Sequence, residues 1–272
     1  MVGAHRSVNA LGNRIAQVYR FRELIALLVG RDLKVRYKRS VLGMFWTLLN
    51  PLLQMAVYSL VFSTIMKIGM PGYPVFLLSG LLPWSLISVA TTSSAHSLLN
   101  NQGLIRKVAV PQAVYPVAVV GSKLIDLLFS LVPLAILAAL MGRPPGLSWL
   151  SLPLALVFCT LFSAGLSLLF SSLTVFFRDI RHLIDILFQI WFYLTPVLYS
   201  HEFLEKLPHR SVRLALGLNP AAPIVRMFQS IVYEGRFPDA ATVGAAALAT
   251  ALSLGLGSYV FLRFEDRHIH YF

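Results

Sequence analysis

The sequence predicts an all-α polytopic membrane protein: six transmembrane helices, both termini cytoplasmic, an amphipathic interface helix before the first span, and a re-entrant helical hairpin on the outer side between spans 5 and 6. Three observations lead there. Of 272 residues, 57% are apolar and only 12% charged, with a mean hydropathy of +0.73. Soluble domains carry about 25% charged residues, so polar surface is too scarce here to cover a water-soluble globule, and a soluble enzyme is excluded. Six apolar runs, at 43–66, 75–98, 115–141, 149–176, 183–200 and 241–262, each approach or exceed the roughly 20 residues that cross a bilayer. Finally, the basic residues alternate in density between the two sides that those runs define.

The leader, 1–42, holds nine basic residues. Within it Ile15, Val18, Tyr19, Arg22, Ile25, Leu28 and Val29 fall at helical spacing, opposite Asn13, Arg14, Gln17, Arg20 and Glu23. A helix lying along the membrane fits, and so does one packed on its own protein. The first apolar run begins only near Val41, too late and too long for a cleavable signal peptide, so the leader is expected to stay on the chain.

Basic residues then set orientation. The leader's nine lie on the same side as two each in the 99–114 loop, the 177–182 loop and the 263–272 tail. The opposite side has one in 67–74, one in 142–148 and five in the long 201–240 loop, where four acids accompany them. The excess marks the cytoplasmic side. The formal charge of +12 thereby reads as juxtamembrane anchoring to anionic lipid, with no role for nucleic acid.

The long outer loop carries its own pattern. Phe203, Leu204, Leu207, Val212, Leu214, Leu216 and Leu218 are too apolar for a solvated linker, while Pro208, Arg210 and Arg213 interrupt a full span. Pro220 and Pro223 precede a second apolar stretch, 224–232. Two short helices dipping into the outer leaflet satisfy both facts, and a loop packed on the helix ends is the alternative.

Chemistry is sparse. No Gly-x-x-x-x-Gly-Lys-Ser/Thr loop, His-Glu-x-x-His or Gly-x-Ser-x-Gly element is present, and the single cysteine, Cys159, supports neither a disulfide nor a multi-cysteine metal site. His268 and His270 read as a solvated end, and no metal site is expected. Lys123 and Asp126 sit inside the third run one helical turn apart, either as a structural ion pair facing another helix or as a coupling-ion site. Asp185 suits a helix start. Phe188, Trp191, Phe192 and Tyr199 are expected on one face of the fifth span, with Phe45, Tyr58 and Phe62 in the first. Such rings serve helix packing or, in a pore, stack on the apolar faces of sugars.

The cytoplasmic turn at 97–116 is the most organised loop. Asn100, Asn101, Gln102 and Gly103 lead a short amphipathic stretch closed by Pro111 and Pro116, as if to present Leu104, Ile105, Arg106 and Lys107 to a soluble partner.

Several elements recur together in a known order. They are Arg31-Asp32-Leu33-Lys34-Val35-Arg36-Tyr37-Lys38 leading to Leu42-Gly43, Trp46 and Asn50-Pro51, then 101–107 with Pro111, then Phe177-Arg178-Asp179-Ile180-Arg181-His182, Leu194-Thr195-Pro196 and Leu218-Asn219-Pro220. From about Arg22 to the sixth span the chain resembles the membrane subunit of polysaccharide-exporting ABC transporters, the type-2 permeases that move O-antigen and, in relatives, capsule or teichoic acid across the bacterial inner membrane.

The resemblance implies a domain plan: a cytoplasmic segment 1–42, a six-span domain 43–262 and a tail 263–272. It implies a second copy of the chain, two copies of a separate ATP-binding subunit that holds the ATP and Mg, and a polymer on a polyprenyl pyrophosphate lipid. No cofactor is implied for this chain. The 99–114 turn, with Asn101, Gln102, Gly103, Leu104, Ile105, Arg106 and Lys107, would seat in the ATPase, and the 201–232 hairpin would be a periplasmic gate. Arg31, Lys34, Arg36, Lys38 and Arg39 lie where the pyrophosphate approaches, although each also fits lipid anchoring. A drug or lipid ABC exporter, an ion-coupled secondary transporter and a membrane enzyme acting on lipid-linked sugars are the competing classes.

Overall fold

The computed structural model describes residues 20–38, 43, 45–65, 69–107, 110–177, 179–200 and 216–271. Among them are ten α-helices and no strand. In chain order these are α1 (Arg22–Tyr37), α2 (Phe45–Ser59), α3 (Tyr73–Ala95), α4 (Ser97–Asn100), α5 (Gln102–Ile105), α6 (Val114–Leu140), α7 (Leu152–Phe176), α8 (Ile180–Leu194), α9 (Ala222–Val232) and α10 (Ala240–Tyr271). A π-helical stretch, Leu60–Ile65, prolongs α2, and a 3₁₀ turn, Leu147–Ser151, leads into α7.

Local chemistry sets several starts. Pro74, Pro153 and Pro223 are the second residues of α3, α7 and α9, in the first turn, where a missing N–H costs nothing. Gly72 precedes α3 at φ 72°, a left-handed conformation that suits glycine. At α10, Asp239 accepts from the Thr242 backbone N–H at 3.0 Å and from the Thr242 hydroxyl at 2.6 Å, satisfying a free helix-start donor.

Helix α3 is the centre of the molecule. Its most apolar stretch is 78% buried, and it packs against α2, α6, α7, α8 and α9. The core fills around Phe76, Leu77, Leu78 and Ile87, with Phe162 from α7 and Phe228 from α9. Helices α7 and α10 cross closely, because a Cβ on Gly257 would overlap the Gly165 carbonyl oxygen. Small residues permit that approach, the main source of attraction between helices in lipid.

Against the six crossings expected, five helices among the described residues are long and apolar enough to cross a membrane. The predicted fifth span stops at Leu194, because Thr195 turns extended (φ −95°, ψ 136°) ahead of Pro196; its 15 residues reach only roughly 22 Å, against a hydrocarbon core of about 30 Å. Tyr199 therefore lies beyond the helix that was to present it.

The last helix runs on through the tail to Tyr271, and His268 is fully buried rather than solvated. Its polar atoms find partners on α7 and on the segment before α6, which offsets desolvation. Of the leader, 1–19 lie outside the described residues, and α1 packs on α6 through Leu28 and Val29. Of the outer loop, 201–215 likewise lie outside, whereas α9 is inserted in the core with Ile224, Val225, Met227, Phe228 and Ile231 fully buried.

Candidate functional site

An open cleft of about 680 Å³ runs between α2, α3, α6 and α8. Three kinds of side chain line it, and each is placed by helical period.

The aromatic wall begins with Phe188, Trp191 and Phe192, at i, i+3 and i+4 on α8, so all three meet α3. There they surround Trp84, with centroids 6.1, 5.7 and 5.9 Å away. Tyr58 of α2 stacks on Phe192 at 5.8 Å. Phe188 is buried, Trp191 is half-buried, and Trp84, Tyr58, Phe188 and Phe192 line the cleft. The cluster is therefore both core and wall. Trp84 is the member that sequence reading missed; its signal was a Trp in mid-span, away from the interface belt where Trp concentrates.

Polar side chains then hold the end of the wall nearest α9. The Trp191 indole N–H donates to Asn219 Oδ1 at 2.8 Å, while the Asn219 amide donates to the Leu194 carbonyl at 3.0 Å and to Thr195 Oγ1 at 2.9 Å. Asn219 thus ties the end of α8 to the start of α9. Inside the cleft Asn50, Gln54 and Gln189 add amides, and Ser85, Ser88 and Thr92 add hydroxyls. Asp185 lines it as an exposed residue of α8.

The third group is charged and closes the end nearest α1. Asp126 Oδ2 accepts from Arg36 Nη1 at 2.5 Å and from Lys123 Nζ at 3.3 Å. Arg36 Nη2 also donates to Asp32 Oδ2 at 2.6 Å, and the Ser122 hydroxyl donates to the same oxygen at 2.7 Å. Two cations and two carboxylates so join α1 to α6. The Lys123–Asp126 spacing was readable locally; the third and fourth members come from 90 residues away and were not.

The remaining expected site residues fall in different places. Phe45 is 69% exposed at the start of α2, and Phe62 packs on the core from the π-helical stretch. The Tyr199 hydroxyl donates to the Tyr193 carbonyl at 3.1 Å. Arg31 donates to Asn101 Oδ1 at 3.1 Å, linking α1 to the 101–107 turn. Lys34 and Lys38 are exposed, and Arg39 lies outside the described residues.

In the turn itself Gln102, Gly103, Leu104, Arg106 and Lys107 face outward, and Asn101 donates to the Ser97 carbonyl at 2.7 Å. Ile105, expected on the outer surface with them, is only 7% exposed. It is buried among Leu28, Leu98, Val114 and Phe261, so of the turn's two apolar side chains Ile105 faces inward and Leu104 outward. Among the described residues no group of three His, Cys, Asp or Glu side chains is placed to hold a metal.

This architecture, with helices long and apolar enough to cross a membrane packed around an open cleft, defines a membrane permease. The chain matches the ABC-2 type transporter family over residues 23–233 and belongs to it. It is 34% identical over 247 residues to the O-antigen export system permease protein RfbA of Myxococcus xanthus, covering 91% of this chain and 94% of that one. A Klebsiella pneumoniae protein of the same name is 31% identical over 214 residues, 78% of this chain and 81% of its own. The polysialic acid transport protein KpsM of Escherichia coli is 24% identical over 244 residues, 87% and 91% of the two chains.

Proposed function

We propose that the chain is the channel-forming permease subunit of an ATP-driven exporter that moves lipid-linked polysaccharide, of the O-antigen class, across the bacterial inner membrane. The observation that carries this reading is the cleft, where aromatic faces stand beside amides and hydroxyls along one groove. Sugars present apolar C–H faces edged by hydroxyls, so stacking with lateral hydrogen bonds is the matching chemistry. The chain's similarity to O-antigen export permeases and to a polysialic acid transport protein supports the cargo.

In this reading two copies of the chain assemble with two copies of a separate ATP-binding subunit, which binds ATP and Mg. The turn at 101–107 receives the stroke of that subunit. Six crossings are completed by α8 with the segment that follows it, both termini are cytoplasmic, and 201–232 form the outer gate. Arg31, Lys34, Arg36, Lys38 and Arg39 serve the lipid pyrophosphate as it approaches from the cytoplasm, Arg by bidentate contact. An ion-coupled carrier is disfavoured because Asp126 already holds two cations.

Deletion of the gene tests the proposal. Surface glycan should disappear and lipid-linked polymer should accumulate inside the cell, with recovery only when the chain and an ATP-binding subunit are both present. Unchanged surface glycan refutes it, as does uphill transport by the purified chain alone in vesicles. Loss of capsule with intact O-antigen reassigns the cargo. Unchanged export by Arg36→Ala and Lys38→Ala, with normal insertion, removes the pyrophosphate role from those residues.

A further inference from the structure

The C-terminal end of α10 makes no part of the cleft, yet it carries a buried histidine with both ring nitrogens in hydrogen-bond contact. His268 is fully buried, with its ring between Phe176 and Phe261, each with its centroid 5.5 Å away. Nδ1 lies 2.8 Å from Gln112 Oε1, and Nε2 lies 3.0 Å from the Ser172 hydroxyl. Gln112 is 5% exposed and gives both of its N–H groups to the same helix. Its backbone N–H donates to Glu265 Oε1 at 3.2 Å, and its side-chain amide donates to the Glu265 carbonyl at 3.2 Å. Because the amide nitrogen of Gln112 is used there, its oxygen faces the imidazole. Nδ1 therefore carries the proton, and Nε2 accepts from Ser172.

Position gives the network its meaning. Gln112 lies in the short segment between the cytoplasmic turn and α6, Ser172 lies near the cytoplasmic end of α7, and Glu265 and His268 lie in the last turns of α10. Beside it, Ile105 of the turn, Val114 of α6 and Phe261 of α10 share one apolar cluster. A displacement of the turn thus reaches α10 through polar bonds and apolar packing together. Helix α10 has 32 residues, roughly 48 Å, and crosses α7 at the tight Gly165–Gly257 approach.

We infer that Gln112, Ser172, Glu265 and His268 form a latch that passes the motion of the cytoplasmic turn to the α7–α10 pair, making the tail part of the coupling machinery. The inference rests on the exporter reading for what drives the turn, and goes beyond it in naming which side chains carry the motion. They are positioning residues: they touch neither cargo nor nucleotide. A buried polar network with every member bonded has one well-defined arrangement, so it transmits a shift where loose packing would absorb it.

The test uses the full chain co-expressed with an ATP-binding subunit and reconstituted in vesicles. Gln112→Ala and His268→Ala should lower ATP-dependent polymer transport about tenfold while hydrolysis by the assembled complex stays within about twofold of wild type. His268→Asn, which retains an amide N–H toward Gln112, should recover part of the transport. Transport and hydrolysis falling together, or both unchanged, overturns the latch. Should the larger truncations fail to insert, Ser172→Ala decides by the same ratio, since it removes one hydroxyl only.

A second readout is independent of the cargo. In the wild-type complex, nucleotide binding by the partner should alter amide exchange at 264–271 as well as at 101–107, and Gln112→Ala should confine the change to the turn. Equal spread in both proteins overturns the latch. Absence of ATP-dependent transport by the wild-type complex, with normal spread of exchange, sinks the exporter reading and leaves the latch standing.

Discussion

Replacing Asp126 with Asn would remove the charge that Arg36 and Lys123 share while keeping the shape of the site. The cost follows from exposure. Ion pairs open to solvent contribute about 0.2–1 kcal/mol, and breaking a fully buried pair costs about 3–5 kcal/mol. Here the three side chains keep 27%, 14% and 18% of their exposure for Arg36, Lys123 and Asp126, so the pairs lie between those limits. Asp32 still holds Arg36 in the variant, whereas Lys123 loses its carboxylate partner. About 2 kcal/mol is the expected loss, and at 1.4 kcal/mol per decade that raises the opening of α1 from α6 about 30-fold. Amide exchange in detergent or nanodiscs reads this directly, as a matching loss of protection across 25–37 with the interior of α3 unchanged. Lys123→Met combined with Asp126→Leu should recover most of it, because no unpaired charge remains. Wild-type protection in Asp126→Asn, or an equal loss in the double variant, would refute the reasoning.

Three further outcomes are expected. Gly257→Val drives a side chain into the Gly165 carbonyl and should cost about 1–3 kcal/mol or more, seen as a lowered unfolding temperature in detergent. Asn219→Ala leaves the Trp191 N–H and the Leu194 carbonyl without their partner at about 1 kcal/mol each; indole fluorescence should shift, and export should fall if the wall binds cargo. Asp239→Ala removes the cap of α10 and should cost about 1 kcal/mol, confined to exchange at 240–245. Hydrogen bonds from the Thr242 side chain and backbone hold the Asp239 carboxyl below its ordinary range. Its contribution is therefore complete above the unfolded value of about 3.9 and is lost as pH falls through the lower folded value.

What could be read from the chain was whatever depends on near neighbours. Apolar run length located the long helices, and i, i+3, i+4 spacing on 188–192 located the aromatic wall, because those rules act within one turn. The end of α8 was written in Thr195-Pro196, yet hydropathy carried the run past it to Ser200, since a scale of water-to-lipid transfer is blind to backbone geometry. The tail failed in the opposite sense. Arg263, Glu265, Asp266 and Arg267 end the apolar composition, and composition marks where lipid stops, not where a helix stops. Arg36 with Asp126, and Gln112 with His268, were hidden because 90 and 156 residues separate the partners; nothing in local pattern encodes such pairings. Ile105 was misplaced for a simpler reason, as a four-residue helix gives too short a window to tell its faces apart.

The enclosure of α3 has a consequence for how the protein responds to its bilayer. A helix ringed by protein is exempt from the demand that its surface be greasy, and Ser79 and Thr91 sit fully buried in it with hydroxyls turned to their own backbone carbonyls. Acyl-chain length, sterol-like stiffeners and lateral pressure must then act through outer helices such as α2 and α10, whose apolar side chains stand open. A thinner or thicker host membrane would tilt that outer ring about a fixed axis, without compressing the axis itself.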